Sequence, residues 1–143
     1  MSIFLMEASD YESVYDLWTR TPGMGLRSLD DSKEGVQFFL NRNPNTNFVY
    51  KQDGKIVGII MSGHDGRRGY IYHATVEKAY RKRGIASLLL ENVINALKKE
   101  GIHKVALVAF SDNHLGNDFW EAHGFTSRPD LVYRNKSIND ENK

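Results

Sequence analysis

The chain has 143 residues, 41% hydrophobic and 26% charged, with a net charge of +1 and no cysteine. That length suits one domain with a real core and leaves no room for a second. Near-neutral charge argues against a dedicated nucleic-acid binder, and the lack of cysteine excludes disulfides, thiolate metal sites and a covalent cysteine mechanism.

Ile3 to Glu7 reads as a first strand, and the start is too short and too soon acidic for a signal peptide. Ser9-Asp10-Tyr11-Glu12 has capping-box spacing, with Val14, Leu17 and Trp18 as the apolar stripe of a helix that ends near Arg20, before Thr21-Pro22-Gly23. A loop, Gly23 to Ser28, leads to a second helix over 32–41 with Val36, Phe39 and Leu40 inward. Strands over 47–51 and 55–62 flank Asp53-Gly54, a hairpin signal, and a third strand runs from Tyr70 to Val76. The longest apolar run, Ile56 to Met61, is far short of the ~20 residues that cross a bilayer. Ile85, Leu88, Leu89, Val93, Ile94 and Leu97 recur at helical spacing and Gly101 supplies the stop. A strand over 104–110, a helix over 115–122 capped by Gly124, and a strand over 131–134 complete the order β-α-α-β-β-β-α-β-α-β. The expected fold is a single α/β (α+β) domain over 1–137. It has a mixed, mostly antiparallel sheet of six to seven strands, about four flanking helices, and a polar tail over 138–143.

The joint Arg81-Lys82-Arg83-Gly84-Ile85-Ala86 follows the third of these hairpin strands and opens the long helix. A helix N-terminus leaves about four N–H groups without partners and carries roughly half a positive charge. Gly84 permits a tight turn against a ligand. On composition the joint is either a polyphosphate cradle or a solvated basic loop. The three-glycine dinucleotide fingerprint and the P-loop are both missing.

The joint resembles the coenzyme A loop of the GNAT N-acetyltransferase superfamily, [Q/R]-x-x-G-x-[G/A], through Arg81, Gly84 and Ala86, with Ala74-Thr75-Val76 at the usual interval upstream. Asn113-His114-Leu115-Gly116 and Phe119-Trp120-Glu121-Ala122-His123-Gly124-Phe125 resemble the second motif, N-x-x-A-x-x-F-Y-E-x-x-G-F. The likeness covers nearly the whole chain and is nearest to the branch with ribosomal-protein N-terminal acetyltransferases.

The resemblance implies acetyl-CoA as donor. Backbone groups of Ala74, Thr75 and Val76 would pair with the pantetheine arm. The N–H groups from Lys82, Arg83, Gly84, Ile85 and Ala86 to Ser87 would hold the pyrophosphate. Asn113 would bond the cysteamine end, with Gly116, Phe119 and Trp120 completing the cofactor wall; a helix N-cap is the other role open to Asn113, and plain core packing the other open to Phe119. The acceptor site would combine the Met24 to Ser28 loop, the second helix and the Tyr70–Tyr72 strand face. Asp30, Asp31 and Glu34 would attract a cationic amine or complement a helix dipole.

Two residues depart from the family pattern. Trp120 replaces the tyrosine acid, and Val108 stands where the ribosomal-protein branch carries a glutamate base. Trp120 could still donate a hydrogen bond to the sulfur. Tyr70, Tyr72 and His73 are the candidates for the base. Alternation puts both tyrosines on one face and His73 on the other, unless a bulge re-aims the strand. His73 has the better pKa for the work and Tyr72 the better direction. No histidine pair has metal-ligand spacing beside a carboxylate, so no metal is expected. The expected activity is acetyl transfer to a primary amine, with a non-catalytic acyl-CoA sensor as the alternative. A cytoplasmic protein follows, with no nucleic-acid or membrane partner, and a homodimer is compatible with this reading.

Overall fold

Asp53 and Gly54 both adopt positive φ (52° and 76°), the turn geometry that lets two strands fold back with matching twist. In the computed structural model, which describes residues 2–143, that turn joins β2 (Phe48–Gln52) to β3 (Lys55–His64). Met1, the first residue of the expected domain, lies outside the described residues. β1 (Ile3–Leu5) pairs antiparallel with β2, and β4 (Gly69–Val76) with β3. The fifth strand, β5 (Val105–Ala106), runs parallel to β4, giving the order β1-β2-β3-β4-β5.

Four helices cover the two faces. α1 (Tyr11–Thr19) and α2 (Lys33–Arg42) bury Val14, Leu17, Trp18, Val36 and Leu40 against Val49, Ile59 and Met61. α3 (Ile85–Lys99) buries Leu89, Leu90, Val93 and Leu97 on the opposite face against Val57, Ile60 and Ile71. α4 (His114–Ala122) lays Phe119 and Trp120 on that second cluster. β3 is the central strand, and its continuous burial from Ile56 to Gly63 follows from having helices on both sides.

Among the described residues the sheet has five strands, not six or seven. The strand expected over 104–110 pairs only at Val105 and Ala106, and residues 131–134 form no strand. The apolar spacing is present there, but a strand needs a partner, and the pairing with β4 ends after two residues. Three smaller differences have local causes. The box at the first helix is formed by Glu7 and Asp10 around a 3-10 turn, Ala8–Asp10, two residues earlier than expected. Leu88 is 44% exposed while Leu90 is buried, because the i, i+4 row from Ile85 to Leu97 sets the contact line and Leu90, not Leu88, flanks it. The polar tail packs back on the body: Asn142 Oδ1 accepts from the amides of Leu29 and Asp30, each at 3.0 Å.

Candidate active site

The β3–β4 register decides what faces the cleft. Ile59 pairs with Thr75 and Met61 with Tyr72, so Ile60 is opposed by two residues, His73 and Ala74. This is a bulge, and His73 takes φ +45°, a left-handed conformation that is costly for a side chain with a Cβ. Simple alternation put His73 across the sheet from Tyr72. The extra residue swings it to the same side, where its ring meets Trp18 edge-on with centroids 5.0 Å apart.

His73 Nε2 lies 2.8 Å from Asp31 Oδ1, and both side chains are largely buried. Asp31 Oδ2 accepts from the Arg27 amide at 2.6 Å, which ties the Met24–Ser28 loop to the same carboxylate. The Tyr11 hydroxyl donates to the Asp31 carbonyl oxygen at 2.7 Å. Asp31 therefore holds a histidine and a loop in place, while Asp30 lines the open cleft. Glu34 does not line it.

A cleft of about 720 Å³ runs from this corner to α4. One wall is aromatic: Tyr70 stands 4.7 Å from Tyr72, which meets Phe39 edge-on at 5.6 Å, centroid to centroid. Burial, with the neighbouring Tyr133 and Tyr72, pushes the Tyr70 phenol up to about 12, and burial likewise raises that of Tyr72. Both are neutral hydrogen-bond donors near neutral pH, not bases. The other wall carries Val108, Asn113 and Trp120. Trp120 is held edge-on between Phe119 (5.0 Å) and Phe125 (5.3 Å). Tyr133 and Asn135 complete the lining from the chain's irregular last segment.

Tyr70 to Ala74 of β4 line the cleft, and the basic joint follows the end of the same strand. β5 pairs only with Gly69 and Tyr70, so the outer edge from Ile71 to Val76 has no strand partner, with side chains reaching only the His73 and Val76 carbonyls. Such an edge accepts an extended, amide-bearing chain. Past its end, Lys82 and Gly84 take φ +64° and +80°, and α3 starts at Ile85 with no side chain capping it. The first intrahelical bond from this turn is Leu88 to the Gly84 carbonyl, leaving the Ile85, Ala86 and Ser87 amides directed off the helix end. Free amides at a helix start are the arrangement by which backbone N–H groups hold anions.

The three cations do different things. Arg81 Nε donates to the Val76 carbonyl at 2.9 Å, Arg83 stacks over the Tyr80 ring at 5.1 Å, and Lys82 is exposed. Asn113 caps α4, its Oδ1 accepting from the Gly116 amide at 3.0 Å, with its side-chain NH2 left for another acceptor. A Cβ on Gly116 would stand 2.6 Å from that NH2, so an alanine here, as in the family motif, would need the Asn113 side chain to shift. His123 bridges the α4 end to the cradle, bonded to Ser87 Oγ and to the Phe119 carbonyl, each at 2.9 Å.

The site thus combines a strand edge without a partner, a helix start with free amides beyond its end, and an aromatic-walled cleft that holds the His73–Asp31 pair. Among the described residues no cluster of three metal-ligating side chains occurs, and no helix is long and apolar enough to cross a membrane. Asp31 as the partner of His73, and Tyr133 and Asn135 in the lining, were not legible in the sequence. Nothing local links positions 31 and 73, and the single signal at Tyr133 was an apolar run.

Residues 11–125 match the acetyltransferase (GNAT) family. The chain is 34% identical to an acetyltransferase of Pectobacterium atrosepticum over 113 residues, 79% of each protein. In fold it is similar to Ard1 from Thermoplasma volcanium (TM-score 0.78, 21% identity, 87% of this chain and 82% of that one). It is similar as well to the PaiA N-acetyltransferase from Thermoplasma acidophilum, solved with coenzyme A (TM-score 0.77, 19% identity, 90% and 92% covered).

Proposed function

Because the chain belongs to the GNAT acetyltransferase family, we propose that it moves the acetyl group of acetyl-CoA to a primary amine, of a small molecule or of a protein, within a ternary complex. The observation that carries this reading is that an edge without a strand partner, Ile71–Val76, includes the His73 corner and leads along the chain into the uncapped α3 N-terminus. The bound thioester supplies an activated acetyl group and a thiol leaving group.

This chain's residues divide the remaining work. The Ile85–Ser87 amides and Lys82 bind the pyrophosphate, and Arg81 and Gly84 shape the turn that presents them. Ala74 to Val76 orient the pantetheine arm, with Asn113, Gly116 and Phe119 as its opposite wall. An ammonium cannot attack a carbonyl, so a base must first take its proton. His73 fills that role. The raised phenols of Tyr70 and Tyr72 leave them as donors that position the amine. The Trp120 indole N–H donates toward the sulfur, and a thiol with an ordinary pKa of ~8.5 leaves without a stronger acid. Val108 and Trp120 are what favours the sensor alternative, and against it relatives 34% and 35% identical are acetyltransferases. The proposal places the enzyme in the cytoplasm, on its cysteine-free sequence, and gives it no nucleic-acid partner, on its near-neutral charge.

Titration calorimetry with acetyl-CoA tests the donor half, and absence of binding at tens of micromolar defeats it. Thiol release over a panel of L-lysine, 1,5-diaminopentane, spermidine and alanine-initiated peptides tests the acceptor half. Silence across primary amines in the presence of tight acetyl-CoA binding defeats that one.

A further inference from the structure

We propose that Asp31 is a positioning residue that fixes the tautomer of His73, so that Nδ1 is the atom that takes the proton from the acceptor amine. The inference rests on the reading of His73 as the base and specifies how that base is set.

The argument begins with the two oxygens of Asp31. Oδ2 receives the Arg27 amide at 2.6 Å, a donor that cannot reverse its role. Oδ1 faces His73 Nε2 at 2.8 Å. A carboxylate has no proton to give, so Nε2 must carry the hydrogen and Nδ1 the lone pair. Among the described residues Nδ1 has no hydrogen-bond partner, and His73 lines the cleft. Asp31 is 6% exposed, which shields the pair from solvent competition.

The backbone supplies an independent reason to regard the placement as selected. The bulge and the φ of +45° at His73 are the means by which its ring reaches the α1–α2 side of the sheet at all. Strain of this kind persists where the surroundings impose it, and here Trp18 and Asp31 do so. The titratable and charged groups around the ring are Asp31, Asp30 and Arg27 from the segment before α2, Tyr11 from α1, and Tyr72 from β4.

The proton and electron balance is simple. The acceptor ammonium gives one proton to Nδ1, the lone pair so freed forms the N–C bond, and the second proton on that nitrogen leaves to water as the amide forms. The C–S bond breaks, the sulfur leaves with that electron pair, and it is protonated from the imidazolium or from water. Asp31 stabilises the imidazolium and is itself unchanged.

Asp31→Asn is the decisive variant. The Arg27 amide still needs an acceptor, so the asparagine oxygen takes the Oδ2 place and its NH2 turns to His73. Nε2 must then accept, which drives the hydrogen to Nδ1 and removes the lone pair from the cleft. The first readout is the tautomer, by nitrogen–proton correlation spectra of the ring in the full-length protein. The wild type should be the Nε2–H form near pH 8 and Asp31→Asn the Nδ1–H form. The second is thiol release on the amine panel, where kcat should fall at least 100-fold while acetyl-CoA affinity stays within threefold and KM moves little.

An Nδ1–H tautomer in the wild-type protein overturns the proposal without any variant, so a failure of Asp31→Asn to fold does not shelter it. Asp31→Asn with kcat within threefold of wild type overturns it as well. His73→Gln separates the two layers. If it keeps full rate, the base reading falls and the Asp31 inference with it; if it is inactive while Asp31→Asn is active, only the Asp31 inference falls.

Discussion

Arg81 Nε and the Val76 carbonyl oxygen are joined at 2.9 Å, so the side chain that heads the basic joint is spent on the end of β4. The bond closes the loop that follows the strand and sets how the Ile85–Ser87 amides stand relative to the open edge. Arg81 is thus a clamp for the cradle more than a phosphate ligand.

Arg81→Ala is accordingly expected to weaken acetyl-CoA binding about tenfold, from loss of a charge-assisted hydrogen bond of roughly 1.5 kcal/mol. Lys82→Ala, which removes a surface cation, should cost less and show a steeper dependence on salt. Calorimetry at two ionic strengths distinguishes them, and an Arg81→Ala affinity equal to wild type would remove the clamp.

Gly84 tests the turn separately. Its φ is +80° and nothing lies within 4 Å of where a Cβ would stand, so Gly84→Ala meets backbone strain and no clash. The expected cost is about 1 kcal/mol of folding stability, seen as a lower urea midpoint with an unchanged slope. An unchanged midpoint means the left-handed turn is not held in solution.

The difference between Gly84 and His73 shows what a sequence can disclose. The glycine, the cations and the apolar row from Ile85 to Leu97 are local and periodic, so the cradle and its helix could be read directly. Asn113 was readable as a cap for the same reason. The bulge was not, because it depends on how β4 meets β3, and one extra residue reversed the facing that alternation gave His73. Asp31 sits 42 residues from its partner, and its local sequence, just before the Ser32 cap, explains it equally well as helix-start charge. Strand number failed for a related reason: residues 107–110 and 131–134 have strand composition, but pairing is settled by partners distant in the chain.

Tyr70 gives a pH signature with a definite sign. Its phenol is held at about 12 by burial, with the neighbouring Tyr133 and Tyr72 adding to it, against an ordinary value of 10.0. A raised folded value means the neutral phenol contributes stability that is fully present below pH 10 and is lost as pH rises through about 12. With allowance for partial exposure, the loss is about 1 kcal/mol. Tyr70→Phe should flatten the fall of unfolding free energy between about pH 10 and 12 relative to wild type. Equal slopes in the two proteins would show that Tyr70 titrates as it does when unfolded.

Asn142 connects the tail to the acceptor side of the cleft. Its Oδ1 accepts from the Leu29 and Asp30 amides, each at 3.0 Å, and its Nδ2 donates to Asp30 Oδ2 at 2.9 Å. Asp30 is the carboxylate on the open cleft, so Asn142 holds both its backbone and its side chain. These groups are near solvent and water can replace the lost bonds, which limits the cost of Asn142→Ala to roughly 1 kcal/mol. The effect is local: amide exchange at Leu29 and Asp30 should accelerate about fivefold, with the Arg27 amide still protected by Asp31. Acetyl-CoA affinity should not change, since the cradle lies at the other end of β4. Exchange at Leu29 and Asp30 identical to wild type would mean the tail leaves the loop unrestrained in solution.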